Sequence, residues 1–226
     1  MTGVVCLQGG AEFGTACREM DLEVLRRAGD GPVVVTALAG ASGREYDTAT
    51  AHGVAHYRSL GATDVVGAAD ARSDRDEALA VIRSAALLVL PGGSPARLLA
   101  ALRGTGVGDA VHALLAAGRV VSGASAGAMV LCAWTLLPER GAPELVEGLG
   151  AVPRSVVLPH FTGSSRWLDG VHDALPVDVV ALGLPECAGV LAEGAERATV
   201  TAVGAAPTQL LGARDAVLVV GASADL

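Results

Sequence analysis

The chain contains no lysine and no asparagine, and all 16 of its basic residues are arginine. The missing lysine excludes a Schiff base, a Ser–Lys dyad and a phosphate-binding-loop lysine. Aromatic residues make up only 3%, so a core has to be built from Ala, Val and Leu. Cysteine occurs only as Cys6, Cys17, Cys132 and Cys187, far apart and without Cys-x-x-Cys spacing. That argues against a disulfide framework or a zinc site and fits a reducing cytoplasm. No basic leader precedes an apolar stretch and no long apolar run occurs, so neither a signal peptide nor a membrane span is expected. A net charge of −8 sets the chain against nucleic acid as a partner, because phosphate contacts need a basic face.

The chain does have bulk and pattern. Its 226 residues, 51% of them hydrophobic, suffice for one well-buried α/β domain over residues 1–226. Short apolar runs alternate with helix-compatible segments. Strands are expected at Val4–Leu7, Pro32–Leu38, Thr63–Val66 and Leu87–Leu90, and just before Gly123. Between them the pattern predicts helices at Thr15–Ala28, Tyr46–Leu60, Arg75–Ser84, Leu98–Leu102 and Ala110–Ala117. Continuous Val/Leu runs between helices indicate a parallel sheet covered by helices on both faces. The last third is richer in strands (Val156–Leu158, Val179–Leu182, Thr199–Val203, Ala216–Val220) and predicts a mixed or antiparallel C-terminal edge.

The most informative stretch is Gly123-Ala124-Ser125-Ala126-Gly127-Ala128. It follows the apolar run Arg119–Ser122 and precedes an apolar segment, Met129–Leu137, read here as a helix. Strand, tight turn and helix are the setting that makes Gly-x-Ser-x-Gly a nucleophile elbow. Gly-Ala-Ser recurs at Gly40–Ser42 and Gly221–Ser223, but only Ser125 has the second glycine and the flanking elements. Ser125 is therefore the candidate nucleophile.

A serine nucleophile needs a base, and the base needs an orienting group. His52 and His56 stand at i, i+4 on a predicted helix, a metal-compatible spacing without an acidic motif around it, and read as a solvated face. His112 and His172 fall in predicted helices. His160 follows the strand Val156–Leu158 and Pro159, where strand ends line a parallel-sheet site, and is the candidate base. Glu139, Glu144 and Glu147 lie between Ser125 and His160 and could each orient the imidazole. Glu139 ranks first because it would close the helix behind the elbow. The amide of Ala126 and one from Pro91-Gly92-Gly93, a strand-end loop whose glycines allow close backbone approach, are candidate oxyanion donors.

These residues resemble the serine peptidase family of aspartyl dipeptidase (peptidase E) and cyanophycinase. The resemblance runs through Leu7–Phe13, Leu90–Gly93, Gly123–Ala128, Pro159–Thr162 and Gly183–Glu186. It implies a fold like the class I glutamine amidotransferases (flavodoxin-like) and a triad of Ser125, His160 and an acid between them. It also implies a substrate-binding role for Arg166 toward an aspartyl carboxylate; a solvated helix-start arginine is the alternative. Ser94-Pro95 and Thr162–Ser165 stand where cyanophycinases carry acidic, glutamine and arginine residues. The resemblance thus favours a dipeptidase of the peptidase E kind, with a small peptide as substrate. No cofactor or metal, no nucleic acid and no membrane is implied, and a monomer or homodimer is expected. Alternatives are a non-catalytic binding module on the same fold, an esterase or amidase, and a cyanophycinase-type peptidase.

Overall fold

The computed structural model describes residues 3–137, 143–163, 175–212 and 215–226. In chain order, β1 (Val4–Gln8), a 3₁₀ turn (Thr15–Cys17) and α1 (Arg18–Ala28) come first. They are followed by β2 (Val33–Val35), α2 (Arg44–Ser59), β3 (Val65–Gly67), α3 (Arg75–Arg83) and β4 (Leu87–Leu90). Two helices, α4 (Pro95–Thr105) and α5 (Val107–Ala116), lead to β5 (Val120–Ala124) and the short α6 (Ala126–Leu131). Strands then dominate: β6 (Cys132–Leu137), β7 (Glu144–Glu147), β8 (Val152–Leu158), β9 (Val180–Gly183) and β10 (Ala188–Glu193). The last four are β11 (Thr199–Gly204), β12 (Thr208–Leu211), β13 (Ala216–Leu218) and β14 (Ser223–Asp225).

Local chemistry sets several of these boundaries. Asp74 caps α3 by accepting from the Glu77 amide, and Ser94 caps α4 by accepting from the Arg97 amide ahead of Pro95. Gly106, at φ +81, ends α4 in the left-handed conformation and separates it from α5.

The first sheet has eight strands in the order β14-β11-β10-β1-β5-β4-β2-β3. β1, β5, β4, β2 and β3 run parallel, and β10, β11 and β14 extend the sheet antiparallel beyond β1. Side chains alternate between faces as the pleat requires. Val5, Leu7, Val34, Leu88 and Leu90 join one core cluster with α3, α4 and α5. Val4, Cys6, Val33, Val35, Leu87 and Val89 join a second with α1 and Tyr57 of α2. Both faces are thus covered, as the sequence predicts.

The C-terminal third departs from expectation. It does not form only an edge of the first sheet: β13-β12-β9-β8-β6-β7 make a second, six-stranded sheet. In it β6, β8 and β9 are parallel and the outer strands antiparallel. The expected helix over Met129–Leu137 is corrected as well, because it stops at Leu131 and Cys132–Leu137 is β6. A short apolar run does not reveal its own period, and here Trp134 and Thr135 suit a strand that pairs on both sides. β10, unassigned from the sequence, lies between β1 and β11. One core cluster contains Val5 and Val121 from the first sheet and Val156, Leu158 and Leu182 from the second.

A buried polar chain underlies β1. Gln8 Nε2 donates to Asp21 Oδ1 at 2.7 Å, and Asp21 Oδ2 lies 2.8 Å from His56 Nε2. Asp21 is 1% exposed. His56 is therefore not part of a solvated face, although His52 on the same helix is exposed. The acidic partner came from α1, which local sequence around His56 does not reveal. Asp21→Ala would take the carboxylate from the buried Gln8 amide and the partly buried His56 ring, at about 1–3 kcal/mol for each group left unsatisfied. A chain of this size loses about 2–4 °C of Tm per kcal/mol, so calorimetry should read a drop of several degrees. An unchanged Tm would show that water replaces the carboxylate at no cost.

Candidate active site

β5 is buried over all five residues between β1 and β4 and delivers Ser125 at its carboxyl end. Ser125 has φ 48 and ψ −107, a conformation L-residues rarely adopt. Its amide donates to Gln8 O at 2.9 Å, and its carbonyl accepts from Met129 to start α6. The turn must be tight because α6 crosses directly over β4: a Cβ on Gly127 would lie 2.1 Å from Leu90 O. That is the physical need for the second glycine of the motif. The Ala126 amide, first in α6, has no intrahelical acceptor.

His160 comes from the other sheet, just past the end of β8. Its amide donates to Gly9 O at 2.9 Å, and Phe161 anchors the loop by burying its ring against Gly183. His160 Nε2 lies 3.1 Å from Ser125 Oγ, and Nδ1 lies 3.0 Å from Glu186 Oε1. A neutral ring protonated on Nδ1 donates to Glu186 and leaves Nε2 to accept the serine proton. Glu186 and His160 side chains are 62% and 49% exposed, so their pairing adds little stability; its effect is to hold the ring's orientation and tautomer.

The expected base thus meets the expected nucleophile, and the described carboxylate beside its ring is Glu186, which the sequence did not nominate. Glu144 and Glu147 sit on β7, paired with β6, and Glu186 occupies the place beside Nδ1. Glu139, Arg166 and His172 lie outside the described residues. Glu186 follows the strand-end loop Gly183-Leu184-Pro185. Its signal was a carboxylate just past a strand end, the same cue that identified His160.

The Gly92 amide is also not free as expected: it donates to Glu12 Oε1 at 2.7 Å. Gly93, at φ +139, is the remaining donor of that loop. Six described non-glycine residues have positive φ, and five of them surround the site: Ala11, Phe13, Ser125, His160 and Cys187. Such strain gathers where function fixes geometry.

Three of the four cysteines are buried and poor nucleophiles. Burial pushes the Cys6 and Cys132 thiols up to about 12 and raises Cys17 as well, which suppresses the reactive thiolate. Among the described residues no group of three or more His, Cys, Asp or Glu is placed to hold a metal, and no helix is long and apolar enough to cross a membrane.

The family model for peptidase family S51 matches residues 34–184. The chain belongs to peptidase family S51. The matched span of this S51 member includes Gly92, Ser125 and His160 and stops just short of Glu186. Among solved structures, a peptidase from an acI-B1 Actinobacterium superposes with a TM-score of 0.84 at 22% identity, covering 100% of this chain and 98% of that one. A putative peptidase E protein from Listeria monocytogenes EGD-e superposes with a TM-score of 0.64 at 16% identity, over 91% of this chain and 100% of that one. At these identities the likeness is one of fold. No curated protein matches.

His160 rests its ring on bare backbone, since a Cβ on Gly10 would lie 2.3 Å from His160 Cε1. Gly10→Ala should displace the ring, and a displacement near 1 Å costs on the order of 10²-fold in turnover. Steady-state kinetics on the folded variant checks this. Wild-type kcat would mean that the ring's seat is not what positions it.

Proposed function

We propose that the chain is a serine peptidase that cleaves small peptides, N-terminal aspartyl dipeptides first among them, through an acyl-enzyme on Ser125. The observation that carries this reading is the unbroken relay from Ser125 Oγ through His160 to Glu186, at 3.1 and 3.0 Å, set on a strained elbow. Nε2 takes the hydroxyl proton as Oγ attacks the scissile carbonyl carbon. The oxyanion is received by the amides of Ala126 and Gly93. Collapse breaks the C–N bond, and the imidazolium gives its proton to the departing amine. Water, deprotonated by the same ring, then hydrolyses the ester and restores the serine. Glu186, in place of Glu139, keeps the ring in the competent tautomer.

The elbow at the end of a parallel strand supports a glutamine-amidotransferase-like ancestry for the fold. Four free thiols suit a reducing compartment, and we place the enzyme in the cytoplasm, as a monomer or homodimer. Arg166 is assigned to the aspartyl carboxylate of the substrate.

Ser125→Ala should remove hydrolysis of an aspartyl dipeptide down to the roughly 10³–10⁴-fold rate over water that binding and oxyanion donors alone sustain. It should also abolish labelling by a fluorophosphonate. A variant that keeps near-wild-type turnover overturns the mechanism. Arg166→Ala should lower kcat/KM for Asp-X peptides by about ten- to a hundred-fold, the worth of one charge-assisted pair, and spare Ala-X peptides. Equal losses on both would make Arg166 structural.

A further inference from the structure

A carboxylate that pairs with no cation among the described residues stands beside Ser125. Glu12 lies on the loop that follows β1, between Ala11 and Phe13, both held at positive φ. Its Oε1 accepts the Gly92 N–H at 2.7 Å. A Cβ built on Gly92 would be 2.8 Å from that oxygen and 3.2 Å from Ser125 Cβ, so Glu12 and Ser125 flank the same α-carbon. Glu12 is partly buried. Among the described residues it makes no ion pair, and the Gly92 amide is its one hydrogen-bond partner. A partly desolvated anion with a single amide donor calls for a positive charge, and the ion pairs made by the described arginines all go to other carboxylates.

We infer that Glu12 is a specificity-determining residue that binds the free α-ammonium of the substrate's N-terminal residue. It would restrict the enzyme to removing that one residue. The inference rests on the serine-peptidase reading above. In an N-terminal residue the α-nitrogen is about 2.5 Å from the scissile carbonyl carbon by covalent geometry, and an attacking oxygen approaches that carbon to about 3–3.5 Å. The ammonium therefore arrives in the shell of groups that surrounds Ser125, where the Glu12 carboxylate is held. An internal or N-acylated residue brings an uncharged amide to the same place, followed by a carbonyl oxygen that a carboxylate repels. The charge has a second consequence. Glu12 withholds the Gly92 N–H and puts a negative charge near the developing oxyanion, which disfavours it. A bound ammonium offsets that charge, so a substrate without one loses both the contact and the compensation.

The test compares kcat/KM on matched substrates, an aminoacyl p-nitroanilide and its N-acetyl derivative, for wild type and for Glu12→Gln, with aspartyl as the first side chain. Wild type should prefer the free amine by at least about tenfold, as one charge-assisted contact implies. Glu12→Gln keeps an acceptor for the Gly92 amide and should lose about ten- to a hundred-fold on the free amine. The acetylated substrate should be unchanged or faster, so that the preference collapses. An equal loss on both, an equal gain on both or an unchanged preference overturns the proposal and leaves Glu12 as a restraint on the Gly92 loop. Should Glu12→Gln not fold, calorimetry with folded Ser125→Ala decides: it must bind a free-amine dipeptide at least tenfold more tightly than the acetylated one, and equal affinities overturn the idea. Fluorophosphonate labelling separates the two levels. Labelled wild type with no amine preference sinks only the Glu12 assignment, whereas unlabelled, inactive wild type sinks the peptidase mechanism and this inference with it.

Discussion

The carbonyl oxygens of Gln8, Gly9 and Gly10 accept, in succession, the backbone amides of Ser125, His160 and Cys187, at 2.9, 2.9 and 3.1 Å. These are the proposed nucleophile, the proposed base and the neighbour of the proposed orienting acid, brought from the ends of β5 and β8 and from the turn before β10. β1 is the one strand that pairs parallel with β5 on one side and antiparallel with β10 on the other. Its carboxyl end is therefore the natural meeting point of the three loops. Gly9 has to be bare, since a Cβ there would lie 2.1 Å from Pro185 O. What looks like a strand followed by two turn glycines is the bracket from which the relay hangs.

That bracket holds backbone that would otherwise relax. Five positive-φ residues around the site, at about 1–3 kcal/mol each, need a rigid setting, and β1 provides one. All five of its residues are buried, its side chains feed both core clusters, and Gln8 is tied to Asp21 beneath it. The exposed Glu186–His160 pair supplies little stability of its own. Position at this site is thus inherited from main-chain hydrogen bonds and core packing, while the side-chain pairs set tautomer and charge. The same loop carries Glu12 to the Gly92 amide, so substrate selection and catalysis share one support.

Much of this was legible in the sequence. Ser125 was nominated because its motif lies between a strand and a helix, and His160 because it follows a strand end; the structure brings the two within 3.1 Å. The parallel β1–β5 core was readable from its Val/Leu runs. Other features needed three dimensions. Glu186 was not nominated because the acid was sought between Ser125 and His160 in chain order, whereas the fold places a carboxylate from beyond both against the His160 ring. The helix expected over Met129–Leu137 yielded to pairing of Cys132–Leu137 with β7 and β8, a tertiary effect that overrides local preference. His56 was read as solvated because its partner, Asp21, is supplied by a different helix. The Glu12–Gly92 contact spans 80 positions and leaves no local trace.

The assignment of the orienting acid is the point on which the account turns. Glu186→Gln and Glu139→Gln, purified as folded proteins and assayed side by side on one aspartyl dipeptide, test it most directly. Removing the carboxylate that fixes a catalytic imidazole lowers kcat by as much as about 10⁴-fold. The account predicts a loss on the order of 10²–10⁴-fold for Glu186→Gln and near-wild-type turnover for Glu139→Gln. Near-wild-type turnover in Glu186→Gln together with a collapse in Glu139→Gln would contradict it.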